Sequence, residues 1–283
     1  MKKYILIHAI ILITIGLSLI AASAVGQDKN EFSVPLSDPA KRGKIKATIN
    51  NGSITIKGTA RKDVLVKYSA ADQKNDDDDD DDDDHDDDET KDGLRKIGGG
   101  GMDMEVTETG NTVTVQSGSW NNRLHIEIEV PSGMDVDAKT HNGGDLMVSN
   151  IQGELELTNH NGEITALNIS GAVIATTYNG EIKITFDKVK DATPMSYTTY
   201  NGDVDITFPA TMKATLKMKT ERGDIYSDFD VAFKNTGPVQ KKDTKGGVYK
   251  VVIDEWKRGD INGGGPEITL RNYNGDIFVR RKK

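Results

Sequence analysis

A chain of 283 residues with 35% hydrophobic content is long enough for one extended β domain around a thin, continuous core. It holds no cysteine, which excludes a disulfide framework, a thiolate metal site and a thiol nucleophile. The formal charge of −9 arises in one place: twelve aspartates between Asp76 and Asp88, with Glu89, make thirteen acids, and without them −9 becomes +4. The remainder is close to neutral and carries no nucleic-acid signal.

Lys2 and Lys3 precede an apolar run from Tyr4 to Ile20, and the small residues Ala21, Ala22, Ser23 and Ala24 follow it. That order predicts a signal peptide over 1–26, cut after Ala24 or Gly26, ahead of a β-solenoid-like domain over 27–283. An uncleaved membrane anchor is the competing reading, but the run is near the lower length limit for spanning. Pro35 and Pro39 punctuate an irregular lead-in. Lys44 to Ile49 alternates, and Asn51-Gly52-Ser53-Ile54-Thr55-Ile56 introduces a phrase that returns throughout the chain. Val64 to Tyr68 is a further short strand.

The acidic segment 75–90 is predicted to be a disordered insert, since its carboxylates repel and it has nothing apolar to bury. The functional alternative is weak divalent-cation binding along Asp76 to Asp88. A bare aspartate run, however, lacks the spaced ligands, carbonyls and turn glycine that wrap a calcium ion. Gly98 to Gly101 lacks the Lys-Ser/Thr ending of a phosphate loop. Strands are expected over Met102 to Glu108, Thr112 to Gln116 and Leu124 to Val130, with Gly110-Asn111 as a hairpin turn. His125 falls on the polar face of the last of these.

The main signal is counted. Gly144, Gly153, Gly162, Gly171 and Gly180 lie nine residues apart, each followed two and four places on by apolar residues such as Leu155 and Leu157 or Ile182 and Ile184. Period-two alternation in nine-residue units gives short strands and tight corners, and two units form an eighteen-residue coil. Beyond Gly180 the phrase recurs more loosely at Gly202, Gly223 and Gly275. Met212 to Met218 and Val248 to Ile253 read as strands, and Tyr226 to Gly247 as a surface excursion. Gly263-Gly264-Gly265-Pro266 bends the chain before the last coil. No helix is predicted after residue 25. The fold class is all-β: a single-chain, right-handed β-solenoid or β-helix-like stack of short strands.

Stacked coils turn equivalent positions into columns about 4.8 Å apart. Asn51, Asn161, Asn179, Asn201 and Asn274 precede Gly52, Gly162, Gly180, Gly202 and Gly275, and with Gly144 and Gly223 they form a corner ladder. Asn and Gly tolerate the left-handed backbone that a sharp corner needs. One place earlier come His141, His160, Tyr178, Tyr200 and Tyr273, an aromatic column. It reads first as packing, and alternatively as a strip for sugar rings or peptide side chains. One place after the glycine stand Asp145, Glu154, Glu163, Glu181, Asp203, Asp224 and Asp276, with Glu154 on the opposite side of the coil. Like charges so stacked disfavour assembly unless cations or lysines offset them.

The run Leu124 to Gly133, the repeated Asn-Gly-Asp/Glu-Ile phrases, and the ending from Ile261 to Ile277 resemble the bacterial DUF4097 family, whose members are often labelled adhesins. The likeness runs from about Lys44 to the end. It implies an exported β-solenoid-like domain of the cell envelope, in the periplasm or on the cell surface, and transfers no catalytic, cofactor or metal residue. The acidic run is an insertion relative to it. The function expected is a noncatalytic adhesin or scaffold that binds a protein or glycan. It needs no cofactor, nucleic acid or small-molecule substrate, and its open end strands allow homo-oligomers. The alternatives are an envelope-stress regulator acting through a partner and, less favoured, a polysaccharide-acting enzyme. The latter calls for clustered carboxylates with a basic residue in a groove, whereas the acids here recur at a regular offset.

Overall fold

The computed structural model describes residues 30–70, 90–91, 94–95, 104–189, 193–234, 239–243, 250–254 and 256–283. The signal peptide and the acidic run 75–89 lie outside the described residues, as do Gly98 to Gly101 and parts of the Tyr226 to Gly247 segment. Among the described residues all regular structure is strand or bridge.

Alternation in the sequence becomes alternation in burial, as in Leu124–Pro131, where every second side chain is buried. Each coil contributes one strand to each of two parallel sheets packed face to face. The first sheet runs, rung by rung, through Leu124–Pro131, the second half of Lys44–Thr59, Leu146–Ser149, the first half of Ile164–Thr176, Ile182–Val189, Val204–Phe208, Ile277–Arg281 and Ile225–Ser227. The second runs through Thr112–Ser117, the first half of Lys44–Thr59, Asp135–Asn142, Glu154–Asn159, the second half of Ile164–Thr176, Met195–Thr198, Glu267–Arg271 and Ala214–Lys219. In-register pairing stacks Ile126, Ile54, Leu146, Ile164, Ile182, Val204 and Ile277 into one buried apolar column.

The β-solenoid-like stack is therefore the fold, with a difference in the order of its coils. The Gly52 coil sits between the Leu124 coil and the Gly144 coil, although it comes first in the chain. The Gly275 coil, last in the chain, sits between those of Gly202 and Gly223. A corner phrase specifies how a coil turns and leaves open which neighbour it stacks on. Antiparallel strands close the Leu124 end, where Asp63–Ala70 and Glu31–Pro35 extend the first sheet and Glu105–Thr109 extends the second. Part of the expected Tyr226 to Gly247 excursion is strand, at Ile225–Ser227, Val231–Lys234 and Val239–Asp243.

The corner glycines are demanded twice. Gly180 has φ +153°, and a Cβ there would lie 2.1 Å from the Gly162 carbonyl oxygen. Gly133 has neither constraint, with open space around it. Gly180→Ala is expected to cost about 3 kcal/mol, from backbone strain and overpacking together. Gly133→Ala should stay within about 0.5 kcal/mol of the parent in the same chemical unfolding experiment.

Candidate functional site

One edge of the stack is built from a five-residue phrase: Thr or Asn, then His or Tyr, then Asn, Gly and an acid. At the glycine the backbones of successive coils approach so closely that Cβ atoms at Gly162, Gly180 and Gly202 would fall 2.3, 2.1 and 2.2 Å from the glycine carbonyl of the coil before. The asparagine before it bonds to its counterpart. Asn161, Asn179, Asn201 and Asn274 each donate an Nδ2–H to the Oδ1 of the preceding asparagine, at 2.7, 2.8, 2.7 and 2.7 Å, the first of them onto Asn142. Asn51 pairs in register with Asn142, but its amide donates to the Trp120 carbonyl at 3.0 Å. At the far end Arg222 stands where asparagine would.

A further column, which the sequence reading missed, lies inside. Thr140, Asn159, Thr177, Thr199, Asn272 and Thr220 each donate a side-chain hydrogen bond to the carbonyl of the corner glycine one coil back, at 2.9, 3.1, 3.1, 2.9, 2.7 and 3.0 Å. These bonds occupy carbonyls that the turn directs into the interior, where an unmet acceptor is costly. The signal was present as Thr or Asn three places before most of the corner glycines. In a strand-rich chain, threonine there reads as an ordinary β-former.

The aromatic residues form a continuous stack. His141 and His160 are 4.5 Å apart and nearly parallel, His160 and Tyr178 5.2 Å, Tyr178 and Tyr200 4.9 Å, and Tyr200 and Tyr273 4.6 Å. Trp120 closes one end edge-on against His141 at 5.1 Å, and the Arg222 guanidinium lies over Tyr273 at the other. Each ring face is thus covered by its neighbour. What meets solvent is a row of ring edges, with Tyr178 46% and Tyr200 39% exposed, and the tyrosine hydroxyls of this row have no hydrogen-bond partner among the described residues. A ligand meets those edges and hydroxyls; the faces are closed to sugar stacking.

Beside the rings runs the acid row Asp145, Glu163, Glu181, Asp203, Asp276, Asp224, in that spatial order. Backbone amides relieve part of the expected repulsion. Asp145 accepts the Glu163 N–H at 2.9 Å, Asp203 that of Asp276 at 2.7 Å, and Asp276 that of Asp224 at 2.8 Å. Partial burial raises the Glu181 carboxyl above the usual range; Lys183 opposes the shift, while Glu163, Asp205 and Asp203 add to it. Glu154 lies at the opposite corner, its N–H donating to Asp135. No group of three metal-ligating side chains forms among the described residues. A cleft of about 620 Å³ opens at the Gly223 end of the stack, lined by Lys219, Glu221, Asp224, Ile225, Phe233 and Lys257 among others.

A family model described as Toastrack DUF4097 matches residues 95–262. No curated protein matches the chain. Among solved structures, a candidate cell adhesion protein from Clostridium sporogenes ATCC 15579 is 12% identical with a TM-score of 0.42, covering 89% of this chain and 99% of that one. A candidate adhesin from Bacteroides fragilis NCTC 9343 is 13% identical with a TM-score of 0.29, covering 89% and 96%.

Two measurements test the corner. Tyr200→Ala breaks two ring contacts and should cost about 1–3 kcal/mol, whereas Tyr200→Phe keeps both rings stacked and should leave the melting temperature unchanged. For Glu181 the raised folded pKa means that the protonated form is favoured by folding, so stability is lost as pH rises through that pKa. Glu181→Gln should therefore raise the melting temperature at neutral pH, and its advantage should vanish as pH falls below the carboxylate range.

Proposed function

The chain belongs to the Toastrack DUF4097 family, and from that premise we propose that it is a noncatalytic adhesin or binding scaffold, exported to the cell envelope, whose partner is a protein or a glycan. The observation that carries this reading is the exposed row of stacked rings running from Trp120 to Tyr273. Tyrosine offers a large amphipathic contact with few rotamers to freeze, which is why it is enriched at binding surfaces. Here the rings are already held by one another, so that binding orders little that was mobile. Hydroxyls at the strand spacing suit an extended partner that repeats along the same direction, a strand-rich protein surface or a linear glycan. The Asn and Gly columns behind them keep the row straight, a supporting role.

The experiment is a glycan array and a pull-down from envelope extracts with the purified chain, repeated with Tyr178→Phe/Tyr200→Phe. That pair keeps the stack and removes two hydroxyls. The expected result is a bound partner and, in the double variant, an affinity lower by roughly tenfold or more at unchanged melting temperature. Binding to nothing, or binding indifferent to the two hydroxyls and to crowding of the row by Tyr178→Lys, refutes the assignment. Protease digestion of intact cells, set against digestion of opened cells, then separates the cell surface from the periplasm.

A further inference from the structure

The two sheets end at different heights at the Gly223 end. Among the described residues the first stops at Ile225–Ser227, which pairs with Ile277–Arg281. The second continues past Ala214–Lys219 by two antiparallel strands, Lys257–Ile261 and Val231–Lys234. The overhang buries Ile261 and partly buries Val231 against the core. Two residues on from Val231, and so on the same inward face, Phe233 is 63% exposed, because among the described residues no rung of the first sheet stands opposite it. The cleft of about 620 Å³ is this notch, with Ile225 on one wall and Phe233 on the other.

The rung that would fill it is also missing from the hydrogen bonding. The corner glycine N–H donates to the next coil at Gly162, Gly180, Gly202 and Gly275, reaching the carbonyls of Asn179, Asn201, Asn274 and Arg222. The N–H groups of Ile164, Ile182, Val204 and Ile277 likewise reach the carbonyls of Glu181, Asp203, Asp276 and Asp224. Among the described residues, neither the Gly223 nor the Ile225 N–H finds such an acceptor.

We propose that a second copy of this chain fills the notch, related by a two-fold axis parallel to the strands. Rotation about that direction exchanges the two sheets. It brings the two-strand overhang of each copy into line with the two-strand shortfall of the other, the self-complementary geometry of an isologous dimer. Val231–Lys234 of one copy then runs antiparallel beside Ile225–Ser227 of the other, which gives the Gly223 and Ile225 N–H groups acceptors and removes two open edges at once. The inward faces of the two overhangs meet, so Phe233 packs against Phe233. Lys257 and Asp224 line the same cleft, so each copy brings both signs of charge to the contact. The rotation leaves both ring-bearing corners on the same side, and the two rows run in line. The dimer stands independently of what those rows bind.

Analytical ultracentrifugation of the purified full chain should show a dimer, and Phe233→Asp should weaken it by roughly a hundredfold or more. Because Phe233 is exposed in the single chain, that variant should melt as the parent does at concentrations where both are monomers. The chain has no cysteine. Phe233→Cys should form a disulfide-linked dimer under mild oxidant, whereas Trp120→Cys, 55% exposed at the opposite end of the ring row, should not. If Phe233→Asp lowers the monomer's melting temperature, the cysteine pair decides. A chain monomeric at its highest attainable concentration overturns the proposal, as does a dimer indifferent to Phe233 or a monomer that takes up an unrelated extended peptide at this end.

Discussion

The approach of one backbone to the next at the corner glycines is the constraint on which the structure depends. Strand hydrogen bonding sets the coil spacing at about 4.8 Å, and at the turn the chain must reverse within that height. A side chain there has no room, since a Cβ at Gly223 would stand 1.9 Å from the Gly275 carbonyl oxygen and one at Gly52 1.8 Å from that of Leu124. Removing the side chain brings the glycine carbonyl close to the following coil. The buried Thr and Asn hydroxyls and amides then become necessary, because the interior offers that carbonyl no water.

Strict register follows, and register decides which chemistry is tolerable in each column. Any residue type at a given offset meets its own kind above and below. Asparagine gains from this, since each amide both donates and accepts, as in the side-chain ladders of cross-β assemblies. Aromatic rings gain as well, because parallel stacking buries their faces. Carboxylates do not, and the acid row persists because an aspartate at this position reaches the backbone N–H of the next coil. Among the described residues Glu163 and Glu181, with a longer side chain, show no bond like those of Asp145, Asp203 and Asp276, and Glu181 is a carboxylate of the row whose pKa is raised.

Much of this was open to reading in the sequence, and the parts that were not have physical reasons. The nine-residue count, the Asn-Gly phrase and the ring one place before it stand at constant offsets because each column admits few residue types. The Thr column was hidden because threonine is favoured in strands for reasons of its own. Trp120 was hidden because its coil turns through 118–123 without an Asn-Gly phrase. The acid row looked unfavourable because a sequence displays charges and conceals the amides that face them. The order of the coils was illegible, since contacts between rungs such as Lys44–Thr59 and Asp135–Asn142 are alike at every level of the stack.

That exchange of order bears on how the fold holds its ends. The family match covers 95–262, yet the Gly52 and Gly275 coils outside it are each clamped between two coils inside it. A linear stack frays from its terminal repeats, because an end coil has one neighbour in place of two. Placing the Gly52 and Gly275 coils one rung inward gives each of them two neighbours. The end coils are those of 112–131 and 214–227, and antiparallel strands cover them in turn: Asp63–Ala70, Glu31–Pro35 and Glu105–Thr109 at one end, Lys257–Ile261 and Val231–Lys234 at the other. Such an arrangement requires long-range pairing before either end is complete, and contacts so distant in sequence form slowly. The fold has exchanged quick assembly from one end for Gly52 and Gly275 coils that cannot peel away by themselves.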